Sequence, residues 1–381
     1  MRINGRFSLL KDNYLFEEVK RRTVGMTDLL HLGVGDVKLP LDGEVVKKIQ
    51  EGGEKQGRVE DFHGYPPPFG YSFLKEKIVE YYRSFGAKIE EDDLFISSGS
   101  KEELGDILDL FEEGSVSLIP NPAYPVYEEV NRLHGNEVIP LYGRKENDFL
   151  PMPTGEKADL IYLCSPNNPT GATYSKEQLS TWVDYARKIG AIIIFDNAYE
   201  RFNLNGARSL FQIEGVDCGI EIGSFSKMAG FTGIRLGFTI VPKKCRNGEL
   251  HALWKRRQSA RKNGVSYLSQ MAGTGVFTKE GQQGVEERIS YYQTNGEILS
   301  KTLSRLGVWH RRGGAYVWAE CPFGMDSWSF FDFLLQKGGI VCTPGVGFGD
   351  GGEGFVRFST LCLRETMEKS CAILEKIIKR E

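Results

Sequence analysis

Short apolar runs alternate with amphipathic segments through the middle of this chain. Apolar runs that predict strands lie at 94–96, 116–119, 160–164, 191–195, 220–222 and 234–240. The run 191–195 is almost wholly apolar, as a parallel strand buried on both faces should be. Strands that alternate with helices in this way predict a mostly parallel sheet covered by helices on both faces.

Two amphipathic segments carry helix-start signals. Ser100 and Glu103 have the spacing of a capping box, and an apolar stripe at helical spacing follows them. Ser175 and Gln178 repeat that spacing, and Gly190 is placed to end the second helix. The buried face of that second helix is predicted to consist of Leu179, Trp182, Val183 and Ala186.

The C-terminal third has a different pattern. It predicts a long helix over 280–306, a hairpin near 313–318, a strand at 355–359 and a final helix over 365–379. We therefore expect two domains, which also agrees with the length of 381 residues. The large domain is predicted to span 41–275, and a smaller α+β domain to combine 1–40 with 276–381.

Composition and charge argue against several classes of protein function. The chain carries 48 basic and 51 acidic residues, a net charge of -3, so it lacks the basic excess typical of nucleic-acid or anionic-membrane binding. No apolar run approaches the roughly 18 residues of a membrane span. Seven cysteines without a CxxC pair suggest neither a disulfide framework nor a zinc site. Met1–Arg6 lacks the apolar core of a signal peptide, so the expected location is the cytoplasm.

Chemistry-bearing residues follow several predicted strands, where α/β sheets bind ligands. They are Ser100 and Lys101, then Asn168, then Asp196 and Tyr199, then Ser224, Lys227 and Arg235. Singly they have ordinary interpretations, since an isolated Asp usually caps a helix and most lysines are solvated. Together they fit pyridoxal phosphate: a lysine for a Schiff base, a carboxylate for the pyridinium nitrogen, and hydroxyls and an arginine for the phosphate.

The order Asn168-Pro169-Thr170-Gly171, Asp196 with Tyr199, Ser224 with Lys227, and Arg235 resembles the fold-type I pyridoxal phosphate aminotransferases over nearly the whole chain. Within that family the chain is most similar to the LL-diaminopimelate aminotransferases. The segments that carry this closer resemblance are 13–16 with Arg21 and Arg22, 32–37, 121–127, 263–266, 343–349 and 352–359.

The resemblance implies an α/β fold with a seven-stranded, mostly parallel sheet, a homodimer with shared sites, and no metal. It implies catalytic roles for Lys227, Asp196 and Tyr199. The implied cofactor-binding residues are Ser100, Lys101, Tyr124, Asn168, Asp196, Tyr199, Ser224, Lys227 and Arg235, with Tyr65 reaching the phosphate of the neighbouring subunit. The implied substrate-binding residues are Tyr14, Gly35, Lys101, Asn168 and Arg357, with Asn263 from the other subunit.

The implied reaction exchanges an amino group between glutamate and tetrahydrodipicolinate in lysine and cell-wall synthesis. The chain departs from the family's Gly-Tyr-Gly-Pro-Glu-Gln-Gly, because it reads Gly64-Tyr65-Pro66-Pro67-Pro68-Phe69-Gly70. The family's acidic residue there is associated with the distal amino group of diaminopimelate, and Pro68 has neither charge nor donor. Ala315-Tyr316, in place of the expected Pro-Tyr, is a smaller departure.

Three alternatives remain open at the level of the sequence. A related aminotransferase with a reshaped distal pocket would act on a lysine-like or ornithine-like amino acid. β-Elimination or racemisation would use the same cofactor, although Arg357 and its flanking motif disfavour them. A non-catalytic cofactor-binding regulator usually carries an added DNA-binding domain, for which this chain has no spare segment.

Overall fold

A computed structural model describes residues 3–10, 14–203 and 205–379 of the chain. Asn13, part of one segment on which the resemblance rests, lies outside these residues. The helices of the described chain are α1 (Leu15–Arg22), α2 (Gly43–Gln56), α3 (Ser72–Ser84), α4 (Ser100–Asp106), α5 (Val126–His134), α6 (Lys176–Ile189), α7 (Phe225–Met228), α8 (Glu249–Arg261), α9 (Tyr267–Val276), α10 (Lys279–Arg305), α11 (Ser327–Gly338) and α12 (Arg364–Ile378). No helix in these ranges combines the length and apolar character needed to cross a bilayer.

Strands are numbered along the whole chain, and the first, β1 (Leu30–His31), lies outside the large sheet. Within the described residues, the large sheet has seven strands, β2 (Leu94–Ser97), β3 (Val116–Asn121), β4 (Glu137–Tyr142), β5 (Leu160–Cys164), β6 (Ile192–Asn197), β7 (Gly219–Ser224) and β8 (Gly237–Ile240). Their order is β2-β8-β7-β6-β5-β3-β4. All neighbours from β7 to β4 are parallel, and β8 is antiparallel to both β7 and β2. The predicted mostly parallel, seven-stranded sheet is confirmed.

The C-terminal part forms a smaller antiparallel sheet. Its order is β12-β13-β10-β9, from β9 (His310–Gly313), β10 (Tyr316–Glu320), β12 (Thr343–Pro344) and β13 (Phe355–Ser359). The N-terminal strand β1 pairs in parallel with β11 (Ile340–Val341). Residues 30–32 therefore join the C-terminal part through backbone hydrogen bonds.

The long helix α10 connects the two apolar cores. Val285, Ile289 and Tyr292 pack into the core that surrounds the large sheet. Leu299 and Leu303, about two and three turns further on, belong to the core of the C-terminal part. A single helix that is buried in both cores constrains how the two sheets are placed relative to each other.

Helix α6 forms as its sequence predicts. Ser175 accepts a hydrogen bond from the backbone N–H of Gln178 at 3.2 Å, and Gly190 ends the helix in a left-handed conformation. The predicted face of Leu179, Trp182, Val183 and Ala186 is fully buried. Burial of such side chains contributes roughly 1.5–3 kcal/mol each.

The predicted capping box of Ser100 and Glu103 is wrong. Gly99, at φ 135°, precedes α4 as its cap, and the helix has no side-chain cap. The Glu103 carboxylate instead turns inward, where Thr239 donates to it at 2.8 Å and Lys262 binds it. A buried carboxylate gains more from these partners than from an exposed backbone N–H.

The structure also differs from the predicted strands at two places. Strand β8 begins at Gly237 rather than at Ile234, because Arg235 has a φ of 64° and cannot continue a strand. Strand β4 was not predicted, since Pro140 weakens its strand pattern. It lies at the edge of the sheet, where a proline is tolerated.

The cap of α6 gives a prediction about stability. Ser175→Ala removes the acceptor for the Gln178 N–H, so we expect the free energy of unfolding to fall by about 1 kcal/mol. Urea unfolding followed by circular dichroism measures the change. Ser175→Asp, which keeps an acceptor, is the matched control and should retain nearly all of the stability. Equal stability of the alanine variant and the native chain would mean that the cap contributes nothing.

Candidate active site

A cavity of about 360 Å³ opens beyond the carboxyl ends of β5, β6 and β7. These strands are parallel neighbours, so the residues that follow them meet at one edge of the sheet. The predicted site residues that line the cavity are Tyr14, Gly35, Ser100, Lys101, Tyr124, Asn168, Asp196, Tyr199, Ser224, Lys227, Arg235 and Arg357. Another cavity of about 360 Å³ shares Tyr124 but has a mostly apolar lining without Lys227, Asp196 or Arg357.

Lys227 lies in the short helix α7 at the end of β7. Its Nζ donates to the backbone carbonyl of Gly35. Burial lowers the pKa of Lys227 to about 8, and the nearby Asp36 carboxylate opposes this shift. Near neutral pH a lysine with such a pKa has an increased fraction of free amine, the form that attacks carbonyl carbons.

Asp196 is the charged residue that follows the apolar stretch of strand β6. Its Oδ2 accepts from the Tyr127 hydroxyl at 2.6 Å, and its Oδ1 accepts from the backbone N–H of Ala198 at 3.0 Å. Burial raises the pKa of Asp196, whereas these two hydrogen bonds lower it. No basic side chain of the described residues forms an ion pair with it within 4.0 Å. The carboxylate therefore has room for a cationic partner from a ligand.

Arg357 reaches the cavity from β13 of the small sheet. It donates to Asn168 Oδ1 and to the carbonyl of Gly33, both at 2.6 Å. Its side chain is almost fully buried, and in the described chain its Nε has no hydrogen-bond partner. A buried guanidinium that is bonded only to neutral acceptors is suited to a carboxylate ligand.

Tyr316 is a site residue that sequence reasoning missed. Its hydroxyl lies 2.5 Å from that of Tyr199, and its ring covers the guanidinium of Arg357 at 4.2 Å. A Cβ at Gly35 would lie 2.5 Å from the same hydroxyl, so the glycine allows this close approach. Only the unusual Ala315-Tyr316 pair marked the position, and strand alternation alone makes Tyr316 a core aromatic.

Hydroxyl and cationic groups are part of the cavity lining. They belong to Ser100, Ser224, Ser226, Thr232 and Arg235. The Arg235 guanidinium donates to Ser226 Oγ at 3.3 Å and pairs with Glu102 at 3.3 Å. A Cβ at Gly99 would collide with that guanidinium, so the glycine leaves room for it. This set of donors is suited to an anion such as phosphate.

Aromatic groups and Lys101 also line the cavity. Lys101 Nζ lies 4.9 Å from the centre of the Tyr14 ring, a cation–π contact. The hydroxyls of Tyr14 and Tyr124 are hydrogen-bonded, and burial raises the pKa of both tyrosines. Both therefore remain neutral donors near pH 7.

Tyr65 and Asn263 are not among the residues that line the cavity. Tyr65 is 88% exposed and Asn263 is also exposed. The loops that carry them are adjacent, because a Cβ at Gly264 would lie 2.6 Å from the carbonyl oxygen of Pro67. The same face exposes Val59 and Phe62. We call the exposed segments 59–68 and 263–264 the Tyr65 surface.

Comparison with known proteins places this chain in a family. Residues 27–374 match the family model for aminotransferase class I and II. The chain is 38% identical to an LL-diaminopimelate aminotransferase of Methanosphaera stadtmanae, covering 100% of this chain and 99% of that protein. It is 40% identical to one from Prochlorococcus marinus, covering 97% of this chain and 98% of the relative.

A solved structure gives the same answer for the fold. L,L-diaminopimelate aminotransferase from Chlamydomonas reinhardtii has a TM-score of 0.92 and 32% sequence identity, with 99% of this chain and 98% of that chain covered. The similarity thus includes both the large sheet and the C-terminal part that contributes Arg357. The chain belongs to the class I and II aminotransferase family.

Proposed function

We propose that this aminotransferase exchanges an amino group between LL-diaminopimelate and 2-oxoglutarate, in lysine and cell-wall synthesis. The observation that carries the proposal is that Lys227, Asp196 and Arg357 line one cavity, with Asp196 and Arg357 almost fully buried. Two full-length relatives named for this substrate, at 38% and 40% identity, support the choice of amino acid.

The family implies dependence on pyridoxal phosphate, and the cavity offers groups that fit it. The fit rests on the Asp196 carboxylate, which pairs with no basic side chain of the described residues, and on the serine, threonine and Arg235 donors that line the same cavity. When bound, the cofactor supplies an aldehyde that condenses with amines and a ring that accepts electrons. Asp196 would face the ring nitrogen and stabilise its protonated form.

The remaining cofactor contacts follow from the cavity wall. Ser100, Lys101, Ser224 and Arg235 would hold the phosphate. Asn168 and Tyr199 would bind the ring hydroxyl, and Tyr124 would stack on the ring face, where aromatic contacts add about 1 kcal/mol. These residues all line the same cavity.

Residues from both sheets would bind the substrate and move its proton. Arg357 binds the α-carboxylate through its forked guanidinium, beside Asn168 and the backbone of Gly35. Lys227 takes the proton from the Cα of the amino donor. In the second half of the exchange it delivers a proton to the Cα of the oxo acid. Tyr14 and Lys101 face the distal end of the substrate.

We also propose a homodimer that completes the site. Tyr65 and Asn263 would reach the neighbouring subunit's phosphate and distal substrate end, which agrees with their exposure on the Tyr65 surface.

The proposed domains are 41–275 and the combination of 1–40 with 276–381, and the pairing of β1 with β11 supports the second. Seven free, buried cysteines agree with a cytoplasmic location.

A second candidate is an aminotransferase for a different amino acid. Pro68 occupies the position where the relatives' pattern has an acidic residue, and it lies on the exposed Tyr65 surface. A distal ammonium without a carboxylate partner loses about 1–3 kcal/mol of binding. Substrate discrimination therefore separates the two candidates.

The first test compares amino donors. We expect LL-diaminopimelate to change the visible absorbance of the cofactor-loaded protein faster than glutamate, lysine or ornithine, in separate stopped-flow experiments. The reason is that its second carboxylate can pair with the Lys101 ammonium and its second ammonium can donate to the Tyr14 hydroxyl, whereas each of the other donors lacks one of these two groups. Pro68→Glu is the informative variant, and it should raise kcat/KM for LL-diaminopimelate roughly tenfold and lower it for glutamate. Conversion by glutamate but not by LL-diaminopimelate would reject the substrate and keep the aminotransferase.

Lys227→Ala tests the proton-transfer role. We expect kcat to fall by roughly 10²–10⁴-fold or more, because no other group replaces a positioned acid–base lysine. Coupled detection of the oxo-acid product measures the loss. Lys188→Ala, which alters an exposed lysine of α6, is the control and should retain full activity. Undiminished transamination by Lys227→Ala would remove Lys227 from the reaction.

Arg357→Lys tests capture of the carboxylate. Lysine keeps the charge and loses the two-pronged geometry, so we expect KM to rise roughly tenfold or more while the cofactor stays bound. Initial-rate kinetics and the cofactor content of the purified variant give the two values. Arg312→Lys, on an exposed position of β9, controls for changes in the small sheet. An unchanged KM would exclude Arg357 from substrate binding.

A further inference from the structure

Tyr127 contacts the catalytic carboxylate directly but has no role in the proposed mechanism. Its hydroxyl donates to Asp196 Oδ2 at 2.6 Å, a short hydrogen bond of the charge-assisted kind. The other contact of that carboxylate is the backbone N–H of Ala198. Tyr127 is therefore the side-chain donor to Asp196 in the described part of the chain.

The surroundings of Tyr127 hold its hydroxyl in one position. The side chain is 1% exposed. Its backbone carbonyl accepts from Asn131 Nδ2 at 2.8 Å, and Asn131 in turn accepts from Ser117 Oγ at 2.7 Å. The ring packs edge-on against Tyr124 at 5.7 Å and, tilted by 30°, against Tyr162 at 5.4 Å. A rotamer change would have to break these ring contacts and the bond to Asp196.

The charges at this position favour a donor role for Tyr127. Burial raises the pKa of the Tyr127 hydroxyl well above its usual value, and the Asp196 charge adds to that increase. The hydroxyl thus keeps its proton at any working pH. Burial also raises the pKa of Asp196, and the Tyr127 hydrogen bond opposes this shift. Without the hydroxyl, the buried carboxylate would bind a proton more readily.

We propose that Tyr127 is a positioning residue that keeps Asp196 charged and oriented toward the ring nitrogen of the cofactor. The inference rests on the proposed role of Asp196. Tyr127 lines the same cavity, and its hydroxyl is bonded to Asp196, so its effect is exerted through that carboxylate. Loss of its hydroxyl moves the proton shared by the ring nitrogen and the carboxylate toward the carboxylate, with no change in the total number of protons.

Tyr127→Phe is the test, since it removes only the hydroxyl. We expect kcat to fall by roughly 10–100-fold with little change in KM, as for loss of one hydrogen bond to a buried charge. The second readout is the ¹⁵N chemical shift of bound pyridoxal phosphate that carries ¹⁵N in the ring. In the variant this shift should move toward the value of the unprotonated ring nitrogen.

Tyr162→Phe is the matched control. Tyr162 is equally buried and packs on Tyr127, and its hydroxyl lies near Asn131 rather than on Asp196. The control should leave kcat and the ¹⁵N shift unchanged. Equal loss in both variants would mean that the effect comes from packing and would overturn the inference.

Asp196→Ala separates this inference from the proposal on which it depends. If Asp196→Ala retains full transamination, the electron-sink role of Asp196 is wrong and the role of Tyr127 falls with it. If Asp196→Ala is inactive while Tyr127→Phe keeps native kcat and a native ¹⁵N shift, only the positioning role of Tyr127 is rejected. Thermal unfolding of the variants confirms that each is folded.

Discussion

Charge buried at the carboxyl edge of the large sheet is the constraint on which this site depends. Asp196 and Arg357 are almost fully buried and bonded to neutral partners, and Lys227 donates to a backbone carbonyl beside them. Moving charges out of water costs several kcal/mol each unless they are paired. An ionic ligand that brings a cation to Asp196 and a carboxylate to Arg357 offsets this cost. The same arrangement explains the lowered pKa of Lys227, because burial disfavours its charged form.

Residues of both sheets contribute these charged groups to the cavity. Parallel strands β5, β6 and β7 end at one edge and present Asn168, Asp196 and Lys227 there. The small sheet supplies Arg357, whose guanidinium bonds to Asn168 across the cavity. Helix α10, buried in both cores, holds the two parts in a defined relation. Catalytic geometry of this kind needs rigid elements, because small misplacements of reacting groups are costly.

Buried tyrosines form the supporting layer of the site. Tyr127 bonds to Asp196, and Tyr316 bonds to Tyr199 while its ring covers Arg357. Burial raises the pKa of each, so each remains a neutral donor with an apolar body. A hydroxyl can satisfy a buried charge without adding a second one, which avoids a further desolvation cost.

Most strands of the large sheet, helix α6 and most of the groups with chemistry could be predicted from residue spacing, because a buried face repeats with the period of its element. Residues that follow strands were found because strand order fixes where they emerge. The partners of these groups followed from the three-dimensional fold. Glu103 turned to Lys262 rather than capping α4, and Tyr316 and Tyr127 reached charged groups far along the chain. Such contacts join residues that are distant in sequence. In addition, a tyrosine that only fills the core and a tyrosine that bonds to a site residue have the same pattern of neighbouring residues along the chain.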